Sequence, residues 1–347
     1  MTLTVQMLIG AVVAFLVSTA LSALLTWAGP IDRPEDRRLH VLPTPTSGGL
    51  AIIGGVLVAA LVFGFSLGGP AEASPAILAL AAVLGLLGAV DDVFDIGART
   101  KLIVQVLAAL GFAAIGAHVE ALPIWPGSTL QLGPIVGVLG SALWIVVVVN
   151  AVNFMDGANG LVAGALAIAF AGLAAVLGLR GVPDLALLAL VGAAGNLGFL
   201  PWNFPKGRLF QGDVGAFFSA AFFAGLCLAG ADRSGDGPAP LMIGPLLILP
   251  LLVDVFMTLI GRARRRVRLF EAHREHLYQR RILAAGNRST RVVIWLWVNM
   301  AIFAVLAVLL VVMQAADQLP LLLIPLAIEL LAWLGQDRLL KGPPSGR

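Results

Sequence analysis

Apolar runs of roughly 20 residues recur from one end of this chain to the other, and that recurrence limits the fold more than any single motif. A run of that length crosses the ~30 Å hydrocarbon core of a bilayer as an α-helix, which satisfies its own backbone polar groups. Eleven spans are expected, over about 4–27, 48–68, 76–92, 102–117, 135–153, 161–179, 185–201, 214–231, 241–260, 291–313 and 320–335. The 347 residues are 59% hydrophobic and 12% charged, whereas soluble domains carry roughly 25% charged residues. The expected fold is therefore all-α: a polytopic helical membrane protein, one bundle over 1–335 with a tail at 336–347. No basic residue precedes the first run, so it reads as a span rather than a signal peptide. The single cysteine, Cys227, lies inside an apolar run and reads as a core filler.

Orientation follows from where the cations fall. With the N-terminus outside, the loops at 28–47, 93–101, 154–160, 202–213 and 261–290 and the C-terminal tail face the cytoplasm. Only Arg180 and Arg233 then fall on the outer side, as the positive-inside rule requires. The outer segment His118 to Gly133 has no Lys or Arg and reads as a short hairpin at the lipid surface, with Trp125 as an interfacial anchor.

The polar motifs collect on the cytoplasmic side. Asp91, Asp92 and Asp95 follow an apolar run, with Arg99 and Lys101 just behind. A helix C-terminus carries partial negative charge, and adjacent carboxylates repel. The pair is either an ordinary polar helix end or a site awaiting a divalent cation. If the helix continues, Asp91 and Asp95 share one face. In the first loop, Pro43-Thr44-Pro45-Thr46-Ser47-Gly48-Gly49 stiffens the chain and then opens its backbone at a helix start, which suits a phosphate. The fifth span ends in Asn150, Asn153, Asp156, Gly157 and Asn159, more polar groups than a helix cap needs. Amide side chains both donate and accept, as a uracil or acetamido group requires.

Asn203, Phe210 and Asp213 lie before the eighth span. Asp213 is a good helix N-cap, and an aromatic face such as Phe210 suits a flat base. Asn196 and Asp254 stand inside spans, where an unpaired polar group is costly. Asp254, with Thr258 one turn on, is either a functional carboxylate or a brace. The loop 261–290 carries an arginine cluster, and bases near a membrane attract anionic lipid at about 1 kcal/mol each. His273 and His276 are spaced to share a helical face; with no third soft ligand nearby, diphosphate contact fits them better than zinc. Glu329 is expected to pair locally or to face a neighbouring helix. A transporter of lipid-linked sugar or a small anion would show broken helices in two related halves; neither is visible. Phosphoryl chemistry between a cytoplasmic nucleotide and a lipid fits these motifs, and no nucleic-acid partner is expected.

Five ordered motifs make the chain resemble the polyprenyl-phosphate N-acetylhexosamine-1-phosphate transferases, the superfamily that includes phospho-MurNAc-pentapeptide translocase. They are Pro43 to Gly49, Asp91-Asp92-Val93-Phe94-Asp95 with Lys101, Asn150 to Gly157, Phe210-Gln211-Gly212-Asp213-Val214-Gly215, and His273-Arg274-Glu275-His276. The last motif looks most like O-antigen-initiating members and departs from the translocase's three consecutive histidines. Position 159 is Asn where many relatives have Asp. The resemblance implies transfer of an N-acetylamino-sugar 1-phosphate from a UDP-sugar to undecaprenyl phosphate, releasing UMP, at the bacterial inner (cytoplasmic) membrane. It also implies Mg²⁺, with Mn²⁺ as an alternative, held by Asp213 and supported by Asp92. Asp91, Asp92, Asp213, His273 and His276 would be catalytic. His40, Thr46, Lys101, Asn150, Asn153, Asp156, Gly157, Asn159, Asn203, Phe210 and Arg274 would bind substrate. A phosphate monoester has a second pKa near 6, so Asp91 is expected to position the lipid phosphate rather than abstract its proton. Small residues along the spans permit close helix packing, compatible with a homodimer.

Overall fold

A computed structural model describes residues 3–28, 31–32, 44–63, 73–115, 118–125, 128–233, 239–268, 273–313 and 319–341. His40 and most of the first loop lie outside them, as do the side chain of Trp125 and residues 342–347 of the tail. Each expected span contains a helix: α1 (Leu3–Ala28), α2 (Gly48–Phe63), α3 (Ala73–Phe94), α4 (Ala98–Ala114), α5 (Gly133–Met155), α6 (Leu161–Leu179), α7 (Pro183–Asn203), α8 (Gly212–Arg233), α9 (Ala239–Leu247), α10 (Leu249–Arg264), α11 (Leu277–Ala284), α12 (Ser289–Val312) and α13 (Leu319–Lys341). The strand pairs β1 (Ile31–Asp32) with β2 (Thr44–Pro45) and β3 (Ala121–Trp125) with β4 (Ser128–Gln131) are antiparallel. The second pair is the hairpin expected between His118 and Gly133.

Three boundaries differ from the sequence reading. The ninth span breaks at Ile248 into α9 and α10, between Pro245 inside α9 and Pro250 at the start of α10. Each proline lacks an N–H and disfavours the helical turn before it. The loop 261–290 contains α11, and α13 continues into the tail as far as Lys341. Among the described residues, seven helices (α1, α3, α5, α6, α7, α8 and α12) are individually long and apolar enough to cross a membrane, so the chain is a polytopic membrane protein.

Burial identifies α8 as the central helix. Of its most apolar stretch 94% is buried, against 22% for α1 at the rim. Phe217, Phe218, Phe222 and Phe223 line it, with the Phe170 ring of α6 tilted 5.6 Å from Phe222 and edge-on 5.5 Å from Phe223. Lipid tails are as apolar as leucine, so close packing and hydrogen bonds hold such helices together. Ser18 and Thr19 of α1 accordingly donate to the carbonyls of Gly195 and Gly198 on α7, at 2.7 and 3.1 Å. α3 lies along α8. A Cβ at Gly88 would overlap the Asp213 carbonyl, so glycine there lets the end of α3 rest on the start of α8.

Candidate active site

The α3–α8 approach explains how two aspartates are tolerated at a helix C-terminus. Asp92 accepts the Asp213 N–H on Oδ1 at 3.0 Å and the Val214 N–H on Oδ2 at 3.2 Å. One carboxylate thus serves the free amides of a different helix, at the end whose dipole favours negative charge. Asp213, free of the N-cap task the sequence offered it, accepts the Asn153 amide of α5 at 2.8 Å. Lys101 of α4 reaches Asp91 Oδ2 at 2.7 Å and stands 3.6 Å from Asp213 Oδ2. Burial opposes the lysine's charge, but the Asp91 bond and the Asp213 charge outweigh it and hold Lys101 above its ordinary value. Asp95 does not extend the Asp91 face: α3 ends at Phe94, and Asp95 turns left-handed (φ 47°).

This corner suits an added cation. Among the described residues, Asp91, Asp92 and Asp213 meet one lysine, and Asp91 Oδ1 is buried without a donor. Burial and the charges of Asp213 and Asp92 push the nearby Asp156 carboxyl up to about 8. Among the described residues no three His, Cys, Asp or Glu side chains could hold an ion unaided. Mg²⁺ characteristically takes one or two carboxylates and fills the rest of its shell with phosphate and water. The donor set fits that habit: Asp213 and the free oxygen of Asp91 would be the residues to hold the ion. Asp92, expected beside the metal, meets the backbone of α8 with both oxygens.

Loops form the next wall. Pro45 accepts the Phe210 N–H at 2.7 Å, while Gly48 and Gly49 donate to the carbonyls of Phe210 and Gln211 at 2.8 Å each. This pairing seats Thr46 beside Gly212 and Asp92. Asn203 is a clamp: its Oδ1 accepts the Gly160 N–H and its Nδ2 donates to the Leu209 carbonyl at 2.9 Å. Asn159 is partly exposed and donates to the Pro205 carbonyl at 3.4 Å. Asn150 turns from Asn153: its amide hydrogens go to Gln105 of α4 at 2.6 Å and the Val146 carbonyl at 2.8 Å. Gly157 lies against the Tyr278 hydroxyl, where a side chain would collide.

The histidine segment closes the site. Residues 273–275 are irregular rather than helical, yet the His273 and His276 rings lie 4.9 Å apart, and Phe154 stands 6.2 Å from His276. Burial, then the charges of His276 and Arg262, hold His273 down at about 4. Glu275 joins Arg262 at 2.5 Å and also Arg265. Part of the arginine cluster therefore orders this loop, and Arg262 is buried doing so. Arg274 sits half-buried between the two histidines in sequence.

Sequence reasoning missed Gln105, Arg262 and Tyr278. A glutamine inside an apolar span was a usable signal; Arg262 was hidden in a run of bases.

A family model described as glycosyl transferase family 4 matches residues 74–231, the stretch bearing Asp91, Asp92, Lys101, Asn153 and Asp213. The decaprenyl-phosphate N-acetylglucosaminephosphotransferase of Mycobacterium tuberculosis (strain CDC 1551 / Oshkosh) is 30% identical over 332 residues, covering 85% of this chain and 80% of that protein. A Bacillus subtilis (strain 168) protein named "Probable undecaprenyl-phosphate N-acetylglucosaminyl 1-phosphate transferase" is 32% identical over 239 residues, 66% of this chain and 65% of its own. The phospho-N-acetylmuramoyl-pentapeptide-transferase of Corynebacterium jeikeium (strain K411) is 32% identical over 277 residues, 64% of this chain and 76% of its own. With the motifs, their order and the carboxylate corner they build, these likenesses place the chain in glycosyltransferase family 4, among the polyprenyl-phosphate N-acetylhexosamine-1-phosphate transferases and their phospho-MurNAc-pentapeptide transferase relatives.

Proposed function

We propose that this protein transfers an N-acetylamino-sugar 1-phosphate from a UDP-sugar to undecaprenyl phosphate, starting a cell-envelope glycan. The observation that carries this reading is the corner where Asp91, Lys101, Asn153 and Asp213 meet over the amides held by Asp92. An oxygen of the lipid phosphate bonds to the sugar-bearing phosphorus. The bond from that phosphorus to the bridging oxygen breaks, and UMP leaves with that oxygen. The attacking phosphate is mostly dianionic at neutral pH, so no proton need be removed. Asp91 and Lys101 position it, while Asn153 fixes the carboxylate of Asp213. Mg²⁺, held by Asp213 and Asp91, would neutralise charge on the diphosphate and on departing UMP. Asp156, Asn159 and Phe210 border the nucleoside, and His273, Arg274 and His276 face the diphosphate.

The chemistry is assigned to the cytoplasmic face of a bacterial inner membrane, with eleven crossings and the N-terminus outside. The distribution of Lys and Arg supports this orientation. The test is UMP release by purified protein given undecaprenyl phosphate, Mg²⁺ and a panel of UDP-N-acetylamino sugars. Release with one donor is expected, requiring lipid and lost on chelation or in Asp213→Ala. UMP release that proceeds without lipid phosphate would contradict direct transfer.

A further inference from the structure

We propose that Asp254 is a positioning residue for the transfer, its carboxylate seating His276 so that one ring nitrogen meets the donor's diphosphate. The inference rests on the transferase reading above. Asp254 is buried on α10, well inside the helix from its C-terminal end. Its Oδ1 accepts the Leu277 N–H at 2.7 Å and its Oδ2 the Tyr278 N–H at 3.1 Å. These are the first two amides of α11, whose own N-cap residue, His276, makes no capping bond with its side chain. Thr258 Oγ1 at 3.3 Å and Trp333 Nε1 of α13 at 3.4 Å also donate to Oδ1. Three helices therefore meet on one carboxylate, directly beneath the histidine.

The ring itself supplies the second observation. His276 Nδ1 is buried, has no hydrogen-bond partner among the described residues, and lies 3.8 Å from Asp254 Oδ1. That is too long for a hydrogen bond, but a small ring rotation closes it. An Nδ1–H turned to this carboxylate leaves Nε2 as the nitrogen available to substrate, and a second proton on Nε2 makes it a donor to phosphate. Phe154, His273 and Tyr278 surround the ring, with centroids at 6.2, 4.9 and 6.1 Å. The titratable groups around the pair are His273 and Tyr278, with Glu329 of α13 beside Asp254 and Asp156 beside Tyr278. A brace would need only the α11 amides; the stranded Nδ1 is what turns this carboxylate toward the chemistry.

The experiment is a cycle of full-length wild type, Asp254→Asn, His276→Gln and the double variant. It reads KM and kcat for UMP release, and binding of the UDP-sugar and of UMP. UMP lacks the second phosphate. We expect Asp254→Asn to raise the UDP-sugar KM about tenfold and leave UMP affinity within about twofold. The double variant should be no worse than His276→Gln alone. Additive losses, or equal weakening of UMP, would overturn the role of Asp254 while leaving the transferase reading intact. A wild type with no lipid-dependent release would overturn that reading, and this inference with it. If Asp254→Asn does not fold, Asp254→Glu, which keeps the charge, carries the same cycle.

Discussion

Asp92 meets backbone amides with both oxygens, at 3.0 and 3.2 Å, whereas Asp213 meets the side chains of Asn153 and Lys101. Neutralising them should therefore have opposite signatures. Asp92→Asn keeps one acceptor and turns an NH₂ toward a backbone N–H, so it should cost about 1 kcal/mol and lower the melting temperature by a few degrees. Asp213→Asn removes a charge crowded by Asp91 and Asp92, so the melting temperature should hold or rise while UMP release falls by at least ~100-fold. Thermal melts and rate assays on the two proteins decide this, and equal melting losses would refute the division of labour. His273 gives a pH signature. Its folded value near 4 lies below the ordinary 6.5, so folding favours the neutral ring. The stability it contributes is complete above about pH 6.5 and is lost as pH falls toward 4. The melting-temperature gap between wild type and His273→Gln should be constant above pH 7 and shift against the wild type on acidification. A gap independent of pH would show that the ring is not held neutral.

Helix contacts explain how residues 121 apart in sequence, Asp92 and Asp213, come to share a site. A Cβ at Gly88 would meet the Asp213 carbonyl and the Val214 amide, while one at Gly111 of α4 would meet nothing within 4 Å among the described residues. Gly88→Ala should therefore pry α3 from α8, costing about 1–3 kcal/mol and most of the activity. Gly111→Ala should leave both within about a degree and a factor of two. An active Gly88→Ala protein would mean that the α3–α8 approach is not what assembles the corner. The same contrast marks what was legible beforehand. Hydrophobic length located the seven helices that, among the described residues, are long and apolar enough to span, and the Asp and Asn residues near helix ends pointed to side chains that the fold brings together. Pro245 and Pro250 were visible, yet the break at Ile248 was not drawn from them because the apolar run continues through it. Capping of α8 by Asp92 and of α11 by Asp254 was not legible, because each joins amides of one helix to a carboxylate on another. The spacing of His273 and His276 predicts a shared helical face, yet their rings meet in an irregular segment before α11 begins, where the backbone turns rather than coils.

The number of times the whole chain crosses the membrane fixes which face each motif stands on. α9 has nine residues and α10 sixteen, so at 1.5 Å per residue neither alone spans ~30 Å of hydrocarbon, but the two in succession do. They should count as one crossing. α11 is fixed to the far end of α13, through Arg280 to Asp337 at 2.7 Å and Arg281 to Gln336 at 2.6 Å. It lies also on α12, where Arg281 stands 3.8 Å over the Trp295 ring. The α10 exit, α11, the start of α12 and the end of α13 must therefore share one side of the membrane. Cys227 makes this measurable, because the one native thiol is fully buried and should stay silent to a membrane-impermeant maleimide. Exposed Ser128, on β4, and exposed Ala285 and Arg338, beyond α11 and near the end of α13, can each be replaced by cysteine. Ser128→Cys should label in intact cells, and Ala285→Cys and Arg338→Cys only after permeabilisation. Five crossings, α5 to α8 and the α9–α10 unit, separate the first position from the second, and α12 with α13 returns the chain to the same side. Labelling of Ala285→Cys from outside would make the intervening number even. The α9–α10 pair would then re-enter rather than cross, and α11 would stand on the opposite membrane face from the end of α5, against the contact of Tyr278 with Gly157.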